Sequence, residues 1–192
     1  MPRSVVERWL NEQRDWLDRN GLRGMTIEDA RVSKEMPENL RRSFLIMRRE
    51  GWQSHLDDCH GDCLLRRPEF AKIVADSLLK FDGERYDCER FVVMPNHVHA
   101  LIQMRDGWDL REQCAGLMRF TGRSIHSMLH RKGALWQAEP FDHVLRSVEQ
   151  FQYLRKYIVD NPVKCHLKDD EYLLWIRNRG FVLASVARLS EP

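Results

Sequence analysis

The sequence predicts an α+β fold in which helices cover an antiparallel sheet. Apolar residues recur at helical spacing before residue 80 and again after residue 109. Between them, residues 85–104 change to a pattern rich in β-branched and aromatic residues, which is typical of strands. This order of helices, one strand pair and further helices favours an antiparallel sheet over the strict alternation of a parallel α/β fold.

The first third of the chain is expected to be helical. Residues 4–19 carry an apolar stripe at helical spacing, and Gly21 is a suitable stop. Thr26 and Asp29 have the spacing of a capping box, with aspartate in the place of glutamate. Residues 38–57 form the second long amphipathic stretch.

The middle of the chain is expected to form one helix and one hairpin. Residues 60–68 are interpreted as a loop with a short extended piece, and residues 69–80 as a helix preceded by a proline. Residues 85–93 and 97–104 are predicted strands, separated by a Met-Pro-Asn turn. The pair is therefore interpreted as an antiparallel hairpin.

The last third returns to helical spacing. Residues 109–130 and 147–160 are predicted helices, and Pro162 is expected to end the second of them. The segment between them, residues 133–143, is irregular and holds two aromatic residues, for which core packing is the favoured interpretation.

Composition limits the class of protein. The chain has 192 residues, of which 43% are hydrophobic and 31% charged, so it can bury a core. It contains no apolar run of the roughly 18–20 residues that a membrane helix needs, and we expect no membrane partner. Five cysteines at irregular spacing argue against a disulfide framework and favour the cytoplasm.

Basic residues are concentrated in one segment of the last third of the chain. The net charge is +2, but residues 113–132 hold four basic residues and no acidic residue. Such a stretch can hold a polyanion, and the alternative interpretation is a solvated helix face.

Two histidines on the second predicted strand form an H-x-H motif. Side chains alternate along a strand, so His97 and His99 share one face with Leu101, while Val98 points to the other. Two imidazoles in this arrangement can converge on one divalent metal ion. Paired surface histidines are the alternative.

A phenol and a carboxamide share one face of the last predicted helix. Tyr157 and Asn161 are four residues apart and therefore neighbours. Beside a metal, the tyrosine becomes a nucleophile next to a third ligand, because the metal polarises the phosphate under attack. The alternative is a core tyrosine near a helix end.

Three blocks of the sequence resemble a known family. The blocks are VVMPNHVHALI (92–102), GALWQAEPFDHVLRS (133–147) and YIVDNPVK (157–164). They are similar to the REP-associated tyrosine transposases, which are single-tyrosine HUH endonucleases of the insertion-sequence-200 type. The resemblance covers about residues 59–168.

The resemblance implies a fold, a reaction and a set of site residues. It implies a ferredoxin-like antiparallel sheet covered by helices over residues 59–192, after an N-terminal helical extension, residues 1–58. It implies metal-dependent nicking and strand transfer on single-stranded or hairpin DNA, through a 5′-phosphotyrosine. Tyr157 would be the nucleophile, with His97, His99 and Asn161 as ligands of Mg²⁺ or Mn²⁺. A transposase would act in the cytoplasm at the nucleoid, as a monomer or a homodimer.

Further residues are candidates for DNA contact. Five basic residues would bind phosphates and contribute to salt-dependent binding: Arg119, Arg123, Lys132, Arg146 and Lys164. His143 would contact DNA or make a structural hydrogen bond. Tyr153, one turn before Tyr157, is expected to be a packing residue.

One segment departs from the family. Its members carry an apolar strand before the first long helix, and here MPRSVVERW and the helices after it stand in that place. An inactive or domesticated protein that binds single-stranded or hairpin DNA without cleaving it is therefore the alternative function.

Overall fold

The computed structural model describes residues 3–32, 36–57, 61–137 and 144–182. Six helices and four strands follow one another in these ranges. They are α1 (Arg3–Arg19), α2 (Ile27–Val32), α3 (Glu38–Asp57), a 3₁₀ turn (Leu64–Arg66), α4 (Pro68–Leu79), β1 (Tyr86–Val93), β2 (Val98–Met104), α5 (Leu110–Leu129), α6 (Val148–Lys164), β3 (Leu173–Ile176) and β4 (Gly180–Val182). Among the described helices, none combines the length and hydropathy that crossing a bilayer requires.

The chain divides into two compact units, residues 1–63 and residues 64–192. The division lies five residues after the domain boundary that the sequence predicts. In the first unit, Leu17 and Phe44 are buried in a small core between the helices. The Thr26 hydroxyl accepts from the Asp29 N–H and donates to its carboxylate, which confirms the predicted cap of α2.

The second unit is built on a four-stranded antiparallel sheet. The strand order is β2-β1-β3-β4, and all three pairings are antiparallel. Helices cover both faces, which confirms the predicted α+β class. Phe91 and Val93 of β1 face the cluster that contains α4 and α5, whereas Val92 faces the cluster that contains α6.

A β-bulge interrupts β1. Cys88 is paired with Ile102 and Arg90 with Leu101, so Glu89 is an extra residue on the β1 side. The bulge places Glu89 beside Arg90 at the α6 face, where their side chains meet.

Two local predictions are wrong, and two strands were not predicted. The expected extended piece in residues 60–68 is a 3₁₀ turn, whose Leu65 N–H donates to the Pro95 carbonyl of the hairpin turn. Pro162 does not end α6, which continues to Lys164. Pro162 is buried within the last turn of the helix, where it lacks the N–H that would bond the Ile158 carbonyl. The strands β3 and β4, which have four and three residues, lie outside the predicted elements.

Candidate metal and tyrosine site

The hairpin brings the two histidines together on the α6 face of the sheet. His99 is paired with Val92 across β1 and β2, and His97 lies just before β2. The Nε2 atoms of His97 and His99 are 2.9 Å apart, and the two rings are nearly perpendicular at 80°. Both nitrogens therefore point at the same small volume.

Asn96 orients the first histidine. Its Oδ1 lies 2.7 Å from Nδ1 of His97. A carbonyl oxygen can only accept, so Nδ1 carries the proton and Nε2 of His97 holds a lone pair that faces His99. This is the arrangement by which proteins prepare an imidazole to bind a metal ion.

Burial keeps both imidazoles neutral. Desolvation lowers the pKa of His99 from 6.5 to about 4. Desolvation also lowers the pKa of His97 well below its usual value, and the neighbouring His99 adds to this effect. Both rings are therefore uncharged at neutral pH, which is the form that ligates metals.

The helix α6 places the tyrosine against this pair. The ring of Tyr157 packs edge-on against that of His99, with 5.2 Å between centroids. Asn161 is fully buried one turn later, and its Nδ2 donates to the Tyr157 hydroxyl oxygen at 2.8 Å. The structure thus brings together Tyr157, His97, His99 and Asn161, residues that lie up to 64 positions apart in the sequence.

A buried ion pair fastens α6 to the sheet near the tyrosine. Arg90 is fully buried, and its guanidinium bonds the Glu89 carboxylate at 2.6 Å and the Arg155 backbone carbonyl at 3.1 Å. Glu89 also accepts from the Arg155 side chain at 3.1 Å. These bonds hold the turn of α6 that immediately precedes Tyr157.

Replacing Glu89 with glutamine is expected to lower the free energy of unfolding by about 2 kcal/mol, because the buried Arg90 charge loses its counterion. Urea denaturation measures this. Asp87→Asn is the matched control on the same strand, since Asp87 pairs with Arg105 at the exposed surface. Equal effects of the two substitutions would contradict a special role for the buried pair.

The donor set fits a divalent ion through its two imidazoles. The 2.9 Å between the two Nε2 atoms is a hydrogen bond in this structure, and two neutral imidazole nitrogens that face each other are suitable ligands for one divalent ion. The Asn161 Oδ1 faces the Cys165 Sγ at 3.8 Å, so ligation by Asn161 requires its amide to turn. Within the described ranges, no three His, Cys, Asp or Glu side chains converge on one point.

Asn96→Leu is expected to weaken Mn²⁺ binding about 10–100-fold, because His97 loses the acceptor that fixes its tautomer. Isothermal titration calorimetry measures the affinity. Asn96→Asp keeps an acceptor at that place and should retain tight binding. If the leucine variant binds Mn²⁺ as the unsubstituted protein does, Asn96 does not orient the site.

The candidate phosphate-binding residues are spread over both layers of the fold. Lys164 lies in α6 with its Nζ 5.1 Å from the Tyr157 ring centre. Arg119 and Arg123 are exposed on α5, in the layer on the other face of the sheet. Lys132 follows α5 and Arg146 precedes α6, and both are exposed. His143 lies outside the described residues.

Three residues near the site were missed or misinterpreted in the sequence. Tyr153 was expected to be a packing residue, but it is 61% exposed and its ring stacks on Tyr157 at 6.2 Å. The spacing of four residues between Tyr153 and Tyr157 could have predicted that the two rings contact each other. Asn96 directly precedes the H-x-H motif, whereas nothing in the sequence pattern indicated that Arg90 is buried.

Trp136, for which core packing was predicted, packs inward, and its Nε1 donates to the Thr121 hydroxyl at 2.8 Å.

Comparison of the chain with family models, with curated proteins and with solved structures finds no match.

Proposed function

We propose that the protein is a metal-dependent nickase and strand transferase that acts on single-stranded or hairpin DNA. The observation that carries the proposal is the meeting of Tyr157 with two neutral imidazoles whose Nε2 atoms converge. A phenol beside a divalent cation site is the arrangement that covalent phosphodiester chemistry needs. The resemblance of three sequence blocks to the REP-associated tyrosine transposases supports the same reaction.

The chemical step exchanges one phosphodiester for another. The Tyr157 oxygen attacks the phosphorus, its bond to phosphorus forms, and the bond from phosphorus to the 3′ oxygen breaks. The phenol loses its proton to solvent and the leaving 3′ oxygen gains one, so the charges balance. The products are a 5′-phosphotyrosine and a free 3′-hydroxyl. Rejoining reverses the step with another 3′-hydroxyl, and no external energy is required.

The protein's own residues prepare this attack. Before a cation binds, Asn161 donates to the Tyr157 oxygen and fixes its position; turning the amide toward a cation would release this bond and free the oxygen. The edge-on contact with the His99 ring restricts the orientation of the Tyr157 ring. Lys164 places a cation beside the tyrosine, where it can contact the phosphate or offset the charge that develops in the transition state.

His97 and His99 would hold the cation, with Asn161 as the third protein ligand. When bound, Mg²⁺ or Mn²⁺ would polarise the scissile phosphate and neutralise part of its charge. Imidazole nitrogens are softer donors than magnesium prefers, so Mn²⁺ is expected to be the better cation in vitro.

A labelled hairpin oligonucleotide with single-stranded flanks tests the proposal. With Mn²⁺ and a 3′-end label, we expect a labelled protein band that survives denaturing electrophoresis. With a 5′-end label, we expect only a shortened oligonucleotide, because the tyrosine retains the 5′ phosphate. A protein band from the 5′ label would contradict the proposed polarity.

DNA binding without cleavage is the second candidate. It is favoured by the position of β2, which carries His99 and lies at the edge of the described sheet. A strand supported on one side holds its side chains less rigidly than a central strand. Hairpin binding without an adduct in Mg²⁺, Mn²⁺ or Zn²⁺ would support this candidate.

A further inference from the structure

A groove of about 620 Å³ lies in the α4 and α5 layer, on the other face of the sheet from Tyr157. The end of α4, the turn before β1 and the first half of α5 form its walls. The small residues Ala115 and Gly116 form part of its lining on α5. The proposed reaction uses none of these residues.

Two solvent-exposed aromatic rings line this groove. Phe120 is 58% exposed and Trp108 is 41% exposed, and both line it. Two large exposed rings that line one groove form a local apolar patch, and such patches mark interaction sites more often than scattered single residues do. Exposed rings in a groove are platforms for unpaired nucleobases, because every base has a π face.

Cations surround the rings. Lys80, Arg85 and Arg119 line the same groove. The Arg85 guanidinium is held between two rings, 3.5 Å from the centre of Phe81 and 4.4 Å from that of Trp108. This packing fixes its position, so a phosphate that binds there does not have to order a mobile side chain.

Two carboxylates belong to the same surface. Glu112 lines the groove, and Glu84 lies 3.4 Å from the Arg85 Nε. Three cations face one lining carboxylate, and from Gln113 to Lys132 the chain has no acidic residue. The balance of charge therefore favours an anionic occupant.

We propose that this groove binds an unpaired segment of single-stranded DNA. A base stacks on Phe120 or Trp108, and the adjoining phosphates lie against Lys80, Arg85 and Arg119. The inference rests on the proposed function for the choice of DNA as the nucleic acid. The groove would hold the substrate on the face of the sheet away from the bond that is cut.

Fluorescence anisotropy of a labelled thymidine dodecamer tests the groove directly. Phe120→Ala is expected to raise the Kd about tenfold through loss of one stacking platform. Phe181→Ala is the matched control, because Phe181 is 52% exposed on β4 and does not line the groove. Arg119→Gln should reduce the slope of log Kd against log salt by about 0.7, the value for one phosphate contact on a single strand.

A second pair of variants leaves the rings and the cations in place. A Cβ added at Gly116 would meet nothing within 4 Å, and a longer side chain favours the helix over glycine. Gly116→Glu puts a negative charge into the groove, and Gly116→Gln has the same shape without the charge. We expect the glutamate variant to bind the dodecamer about tenfold more weakly than the glutamine variant at low salt.

The outcomes separate this inference from the proposed reaction. Weaker binding in Phe120→Ala and Gly116→Glu supports the groove, whether or not the protein forms a covalent adduct. Unchanged binding in both variants overturns the groove, even if the adduct forms. Displacement of the dodecamer from the Phe120-dependent site by a polyglutamate peptide at a much lower concentration than by unlabelled dodecamer would identify an acidic peptide as the occupant and also overturn the inference.

Discussion

Replacing Tyr157 with phenylalanine is expected to reduce formation of the covalent protein–DNA adduct by at least about 10³-fold, because the attacking oxygen is removed. The ring contact with His99 and the stacking with Tyr153 remain possible in the variant. The buried amide of Asn161 loses one acceptor, which should cost about 1 kcal/mol of stability. Quantitation of the 3′-labelled protein band measures the loss, and thermal unfolding confirms that the variant is folded.

Tyr153→Phe is the matched control for this experiment. Tyr153 lies one turn before Tyr157 on α6 and is more exposed, so its hydroxyl is the nearest phenol of the same helix. We expect this variant to keep adduct formation within a few-fold of the unsubstituted protein. A full adduct yield in Tyr157→Phe would remove Tyr157 from the role. DNA cleavage that survives in that variant without an adduct would indicate hydrolysis by water.

Acidification is expected to destabilise the metal-free protein through its two histidines. The pKa of His99 is about 4 in the folded state, and that of His97 is also lowered, whereas both are near 6.5 when unfolded. Between these values the unfolded chain binds protons that the folded chain does not, so the free energy of unfolding falls as the pH falls. From pH 7 to pH 5 we expect His99 alone to account for a loss of about 2 kcal/mol, and His97 to add to the loss in the same direction.

Urea denaturation in EDTA at pH 7 and pH 5 measures this loss. A double variant with His97→Gln and His99→Gln should lose most of the difference between the two pH values. The free energy of unfolding of the double variant at pH 7 is the reference for its value at pH 5, because glutamine does not titrate. If the double variant is destabilised by acid as much as the unsubstituted protein, the two imidazoles are not the source of the pH dependence.

The hairpin and its long neighbouring helices were readable from local patterns. Strands predicted over 85–93 and 97–104 are observed at Tyr86–Val93 and Val98–Met104. The alternation also placed His97, His99 and Leu101 together, because the side-chain period of a strand is fixed. The helix predicted over 109–130 is observed at Leu110–Leu129.

Features that depend on distant partners were not readable. The strand β3 has only four residues and is stabilised by pairing with the edge of β1 that β2 leaves open. A segment this short shows too little of the strand pattern to be predicted from its own sequence. The burial of Arg90 depends on Glu89 and on the Arg155 carbonyl of α6, which are visible only after the chain has folded. The resemblance to the transposase family was enough to choose Tyr157 as the candidate nucleophile. The direction of the Asn161 Oδ1 atom, which faces Cys165, is visible only in the structure.

The extra residue at Glu89 supplies a carboxylate on the face of the sheet that α6 covers, where it meets Arg90 and Arg155. Cys88 and Phe91 face the same layer although three positions separate them, which strict alternation forbids. Deleting Glu89 would leave a regular ladder in which every other residue of the hairpin keeps its face, so His99 would stay on the side of Tyr157. Arg90 and Arg155 would lose the carboxylate that they share, and the helix that carries the tyrosine would be less firmly attached to the sheet.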